Sequence, residues 1–232
     1  MDAVTAGRVS SLVTDVEQGL AEHADPTYVE GTVAARHPGK PVLGVRIPLL
    51  RGAVKAALKT AGISARTPDP ATVAAAAEAL WHGQTHEAEL AGSMMLRLSQ
   101  TRMTAPMILR WAMLLDNWLS VDELGGVVGM SLVDDAALLA QLHPLAVSPS
   151  IWQRRLYLVA LIRPVKAGLS PTDVPELAAL MDERDPVIRK ASAWLINEAI
   201  KARSSEAAAQ FRVLMPGTDP KPLVRILDAA LV

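Results

Sequence analysis

The chain has 232 residues, half of them apolar and 3% aromatic, with 23 Lys and Arg against 24 Asp and Glu for a formal charge of −1. That length and apolarity suffice for a full core in one compact domain or one repeat array, and they exclude disorder as the main state. The absence of cysteine excludes disulfide scaffolds, thiolate nucleophiles and Cys-ligated zinc.

From the N-terminus, helical periodicity covers about 4–22, 27–36 and 47–61. His-Pro-Gly-Lys-Pro at 37–41 is a loop, because three turn-formers in five residues exclude a helix. A capping residue followed by Pro then marks helix starts repeatedly. Asp69-Pro70 opens a helix through about Trp81 and Ser148-Pro149 one through about Lys166. Ser170-Pro171 opens one through about Met181, Asp185-Pro186 one through about Ala202, and Asp219-Pro220 the last. Further helices are expected over about 85–100, 105–115, 117–129 and 133–142. Short connections make neighbouring helices antiparallel. The pattern predicts an all-α chain, 1–232 as one domain, built as a HEAT-like helical-hairpin solenoid with a concave face. No repeat consensus recurs at a fixed period, so a globular helical bundle is the competing architecture.

No apolar run approaches the roughly 20 residues of a membrane span; Leu156 to Ile162 lies between two arginines. The N-terminus lacks the apolar stretch of a secretory signal. A soluble, cytoplasmic protein is therefore expected. Charge is unevenly spread: residues 1–35 carry −5, residues 36–66 carry +7 with no acid, residues 67–150 carry −6 and residues 151–232 carry +3. Two basic blocks on a near-neutral chain suit either a polyanion held on one face or an uneven solvated surface.

Standard site chemistries find no support. His82 and His86 are four apart, but Gly83 lies between them and the sequence is not His-Glu-x-x-His, so no metal is expected. No phosphate loop, dinucleotide fingerprint or nucleophile elbow is present, and no cofactor is expected. The placement of tryptophan is more informative. Trp118 and Asp122 are four apart on one expected helix, which puts an indole and a carboxylate on one face. Trp111 lies seven residues before Trp118, close to the same stripe. Trp152 precedes Arg154 and Arg155, and Trp194 follows Arg189 and Lys190. Taken singly, each Trp reads as core filler and each charge as solvated surface. Together they fit a ligand that is cationic at its centre and anionic around it, such as an N-alkylated purine in DNA. Indole faces attract cations, a fixed carboxylate stabilises a developing oxocarbenium, and guanidinium groups hold phosphates.

Five segments in order over roughly 40–205 carry a resemblance. They are Leu43-Gly-Val-Arg-Ile-Pro-Leu-Leu-Arg51, Leu80-Trp-His-Gly-Gln-Thr-His-Glu87, Asp116-Asn-Trp-Leu-Ser-Val-Asp122, Trp152-Gln-Arg-Arg155 and Ile188-Arg-Lys-Ala-Ser-Ala-Trp194. With them the chain resembles the AlkD-like DNA alkylation repair glycosylases, a family of HEAT-like all-α proteins. The resemblance implies that Asp122 is the catalytic carboxylate and that Trp118 and Trp194 frame the lesion. It implies that Arg155 holds the backbone beside the lesion, with Arg51 and Lys55 further along. Arg46, Arg154, Arg189 and Lys190 complete the expected DNA-contacting set. The implied partner is double-stranded DNA containing alkylated bases, the implied reaction is hydrolytic release of 3-methyladenine and 7-methylguanine, and a monomer is expected. Two other readings remain open: a non-catalytic HEAT-like module binding damaged or branched DNA, and an interaction scaffold whose basic block meets an acidic partner.

Overall fold

The computed structural model describes residues 3–36, 38–64, 66–215 and 222–231, without the side chains of residues 35, 36 and 222. His37 and the Asp219-Pro220 pair lie outside the described residues. Among those described, every regular element is helical, as the periodicity requires. In chain order they are α1 (Ala3–Glu22), α2 (Pro26–Arg36), α3 (Ile47–Thr60), α4 (Pro70–Trp81), α5 (His86–Ser99), α6 (Ala105–Ala112) and α7 (Trp118–Asp134). There follow α8 (Ala137–Gln141), α9 (His143–Ala146), α10 (Ile151–Ala160), α11 (Ile162–Lys166), a 3₁₀ turn (Pro171–Asp173), α12 (Leu177–Asp182), α13 (Pro186–Leu214) and α14 (Pro222–Ala230).

Two compact units emerge, Met1–Met103 with Asp116–Val127, and Thr104–Leu115 with Val128–Val232. In the first, α1 packs on α3, α4 and α5, and α4 and α5 form a tight hairpin. Apolar residues at helical spacing build its core: Leu12, Val16 and Leu20 from α1, Leu50, Val54 and Leu58 from α3, and Leu80, Trp81, Leu90 and Met94 from the α4–α5 hairpin, all buried. In the second unit α13 is the central element, contacted by α10, α11, α12 and α14. Leu156, Leu158, Ile188, Leu195, Ile196 and Phe211 fill its interior.

The Asp-Pro starts behave as expected. Asp69 accepts a hydrogen bond from the Thr72 N–H at 3.1 Å, and Asp185 one from the Val187 N–H at 2.8 Å. The Ser-Pro starts do not. The Ser148 hydroxyl takes the Ser150 N–H at 3.1 Å, which moves the helix start to Ile151. That helix stops at Ala160, because Pro164 has no N–H to return to the Ala160 carbonyl; α11 restarts after one residue. Ser170-Pro171 opens only the 3₁₀ turn, since Pro175 holds Val174 extended (φ −111°, ψ 96°). The expected 133–142 helix is split too: α7 runs on to Asp134, α8 covers Ala137–Gln141, and a separate α9 starts at His143 with Pro144 in its first turn. At the other end α13 passes Ala202 and continues to Leu214, with a break at Ser204 (φ 51°, ψ −135°).

Candidate functional site

In the first unit the candidate residues lie on α7 and α3. Asn117 starts α7: its Oδ1 accepts the N–H groups of Leu119 (3.1 Å) and Ser120 (3.0 Å), satisfying two donors that the first turn leaves open. Trp118 is thereby the first residue of the helix, and Asp122 follows one turn later on the same face. Val121 and Leu124 point the other way and are fully buried. Trp118 keeps 39% of its surface exposed, and Asp122 is half-buried. Burial pushes the neighbouring Glu123 carboxyl above its ordinary range; Arg97 and Arg51 pull it back and Asp122 adds to the rise. Arg97 meets Glu123 at 3.0 Å, which ties α7 to the last turn of α5.

Arg51 and Lys55 are exposed one turn apart on α3. Arg46 precedes that helix, its guanidinium 5.0 Å from the centre of the Tyr28 ring and 3.7 Å from Asp25. Tyr28, to which the sequence assigned nothing, therefore carries a cation–π contact.

The segment leading into α3 is held by α5. Glu87 is buried, and its carboxylate accepts the backbone N–H groups of Leu43 (2.9 Å), Gly44 (2.9 Å) and Val45 (3.2 Å). Gly44 is left-handed (φ +82°), and a Cβ there would stand 2.2 Å from the Asp25 carbonyl oxygen. Two of the sequence segments, Leu43–Arg51 and Leu80–Glu87, thus meet in one structural lock. The His82–His86 spacing does not give a shared helix face. His82 follows the end of α4, 3.4 Å from Glu78, while His86 is the buried first residue of α5.

In the second unit the candidate residues lie on α10 and α13. Trp194 is 38% exposed, beside the buried stripe Ile188, Ala191 and Leu195. Lys190 one turn before it is exposed and Arg189 half-buried. Arg154 grips Glu183 with two bonds (2.8 and 3.1 Å) and the Ser148 carbonyl with a third (2.6 Å). Arg155 is only 7% exposed, and its Nη1 donates to the Val187 carbonyl at 2.9 Å. This arginine pair therefore fastens α10 to the segment that starts α13. Trp111 does not share a stripe with Trp118: it sits on α6, fully buried, as does Trp81 on α4. Of the five tryptophans, Trp118 and Trp194 are the exposed ones.

Sequence reasoning missed Asn117 and Ser120 as the cap of α7, Lys40 and Glu89 behind it, and Glu183 as the partner of Arg154. The Asn-Trp step at the head of an apolar period was a cap signal in plain view. The ion pairs join distant parts of the chain and left no local trace.

No curated protein matches the chain. A family model described as "DNA alkylation repair enzyme" matches residues 16–211, a stretch that contains α3, α5, α7, α10 and nearly all of α13. On that match the chain belongs to the DNA alkylation repair enzyme family.

Proposed function

We propose that the protein is a monofunctional DNA glycosylase that hydrolyses the N-glycosidic bond of cationic N3- and N7-alkylated purines, such as 3-methyladenine and 7-methylguanine, in duplex DNA. The observation that carries this reading is the Trp118–Asp122 pair: an exposed indole and a half-buried carboxylate on one face of a capped helix start.

A cationic purine needs no added proton to leave. Its C1′–N bond breaks, the bonding pair returns to the base, and the base departs neutral. Positive charge then develops on the sugar. A carboxylate fixed nearby stabilises that charge more than it stabilises the ground state. Asp122 supplies it, and orients the water whose oxygen bonds to C1′ as its proton passes to the carboxylate or to solvent. Trp118 offers the lesion an indole face and Trp194 of the second unit is assigned the same role; such a face favours the positively charged base over its neutral parent by about 0.5–2 kcal/mol. Arg46, Arg51, Lys55, Arg189 and Lys190 hold phosphates. In this reading Arg154 and Arg155 meet the backbone beside the lesion from the start of α10. No lysine serves as nucleophile, so the product is an abasic site with an intact strand.

Base release from duplexes carrying each lesion tests the reading. Wild type should exceed the spontaneous rate, and Asp122→Asn should lose that excess by a factor of about 10² or more while still binding DNA. Release at the spontaneous rate by wild type would sink the catalytic reading and leave a DNA-binding module.

A further inference from the structure

Behind the head of α7 lies a buried ion pair that the proposed chemistry does not use. Lys40 comes from the connection between α2 and α3, and its Nζ stands 3.0 Å from Glu89 Oε2 on α5 and 2.6 Å from the Trp81 carbonyl at the end of α4. The side chains are 25% and 3% exposed. Glu89 is in turn hydrogen-bonded by the Ser120 hydroxyl. Ser120 Oγ accepts from Asn117 Nδ2 at 3.0 Å, and the same amide donates to Asp116 Oδ1 at 2.8 Å. Asp116 Oδ2 takes the Gly39 N–H at 2.7 Å, one residue before Lys40, which returns the chain of contacts to its start. A Cβ at Gly39 would stand 2.3 Å from that oxygen, so loop and helix head are fitted together at this point.

A buried ion pair is a poor source of stability, because desolvation cancels much of the attraction and apolar side chains of similar volume often do as well. What such a pair supplies is a defined geometry: Glu89 Oε2 faces Lys40, while the buried Oε1 has no hydrogen-bond partner among the described residues, so the carboxylate leans on Lys40 and Ser120. Here two links, Ser120 to Glu89 and Asp116 to Gly39, end on the residues that set where α7 begins. The Asn117 cap fixes the first turn, and the first turn fixes the direction of the Trp118 side chain and, four residues on, of Asp122.

We infer that Lys40 and Glu89 are positioning residues for the Trp118–Asp122 pair, acting through the Ser120 hydroxyl and the Asn117 cap. For its catalytic consequence the inference rests on the glycosylase reading; for its structural content it does not. Lys40→Met removes the counter-ion of Glu89 and the donor that fixes its carboxyl group, and the head of α7 moves. Lys40→Arg restores a cation and therefore the position. Burial already pushes the Glu89 carboxyl above its ordinary range, and Lys40 and Ser120 are what restrain it.

Two readouts separate this from a contribution to stability alone. The first is the indole N–H resonance of Trp118, assigned by its loss in Trp118→Phe. It should shift or broaden in folded Lys40→Met and return in Lys40→Arg. The second is single-turnover base release, measured well below each variant's unfolding temperature. Lys40→Met should slow it roughly tenfold or more, with DNA affinity within about twofold of wild type, and Lys40→Arg should recover it. If wild type releases no base, the glycosylase reading fails while the resonance still decides the inference. An unmoved Trp118 resonance in folded Lys40→Met overturns the inference, and so does an unchanged release rate in an active protein. Should Lys40→Met fail to fold, Ser120→Ala keeps the ion pair, removes the relaying hydroxyl, and is expected to show the same displacement.

Discussion

The Glu87 carboxylate accepts the backbone N–H of Gly44 at 2.9 Å, and the N–H groups on either side converge on it as well. Glu87→Ala would leave three inward-facing donors without an acceptor. Each such loss costs about 1–3 kcal/mol, so a fall of about 4 kcal/mol in unfolding free energy is expected. Glu87→Gln keeps one oxygen in place and should cost about 2 kcal/mol. Urea unfolding of the two variants beside wild type checks the ranking.

Glu176 receives bonds from both His143 Nδ1 (2.6 Å) and the Tyr157 hydroxyl (2.9 Å). Burial alone would raise its carboxyl, but these bonds outweigh burial and hold it below the ordinary 4.5. A carboxyl lowered on folding adds stability above its unfolded value, and that stability fades as pH falls through the folded value. Tyr157→Phe should therefore lower stability by about 1 kcal/mol at neutral pH. It should also flatten the decline in unfolding temperature below pH 4.5. A pH series of thermal melts reads both effects, and an unchanged acid limb would contradict the assignment.

Ser204 sits at φ 51° and ψ −135° inside α13, a conformation that favours glycine. Ser204→Gly should raise stability by ~1 kcal/mol, the relieved strain outweighing the added freedom of the unfolded chain. Ser204→Ala should give no such gain. Thermal melts of the pair distinguish backbone strain from loss of the hydroxyl.

Arg51 and Lys55 are exposed on α3, and they meet phosphates in the proposed function. Replacing either with Ala should reduce the slope of log affinity against log salt by about one unit and weaken binding alike for lesion and normal DNA. Arg154→Ala should behave differently, because it also removes the clasp on Glu183 and so lowers stability. Salt titrations by fluorescence anisotropy, with melts alongside, compare the three.

Much of the fold was legible because its signals are local. Asp-Pro marked α4 and α13 correctly, since an Asp side chain reaches the N–H two or three residues on while Pro occupies a position that needs no donor. Ser-Pro misled, because Ser148 spent its hydroxyl on Ser150 and a second proline at 175 cut the next helix short. The helical spacing also put Trp118 and Asp122 on one face, which the fold turns away from the buried Val121 and Leu124, but it set Trp111 close to the same stripe, whereas that indole is buried on α6. It could not foresee that Arg154 and Arg155 are bound internally, since their partners Glu183 and Val187 come from a different helix boundary. Nor could it connect Lys40 with Glu89, or give Glu87 its three backbone donors, for those contacts exist only once α5 lies against the chain before α3.

Glu87 and Glu89 stand two residues apart on α5, and both face residues 40–45. A chimera that joined two relatives between residues 46 and 86 would inherit the carboxylates from one parent and their partners from the other. Unless both parents carried matching halves, the hybrid would hold buried acids facing the wrong backbone. These two stretches are therefore expected to travel together through recombination as a single heritable block.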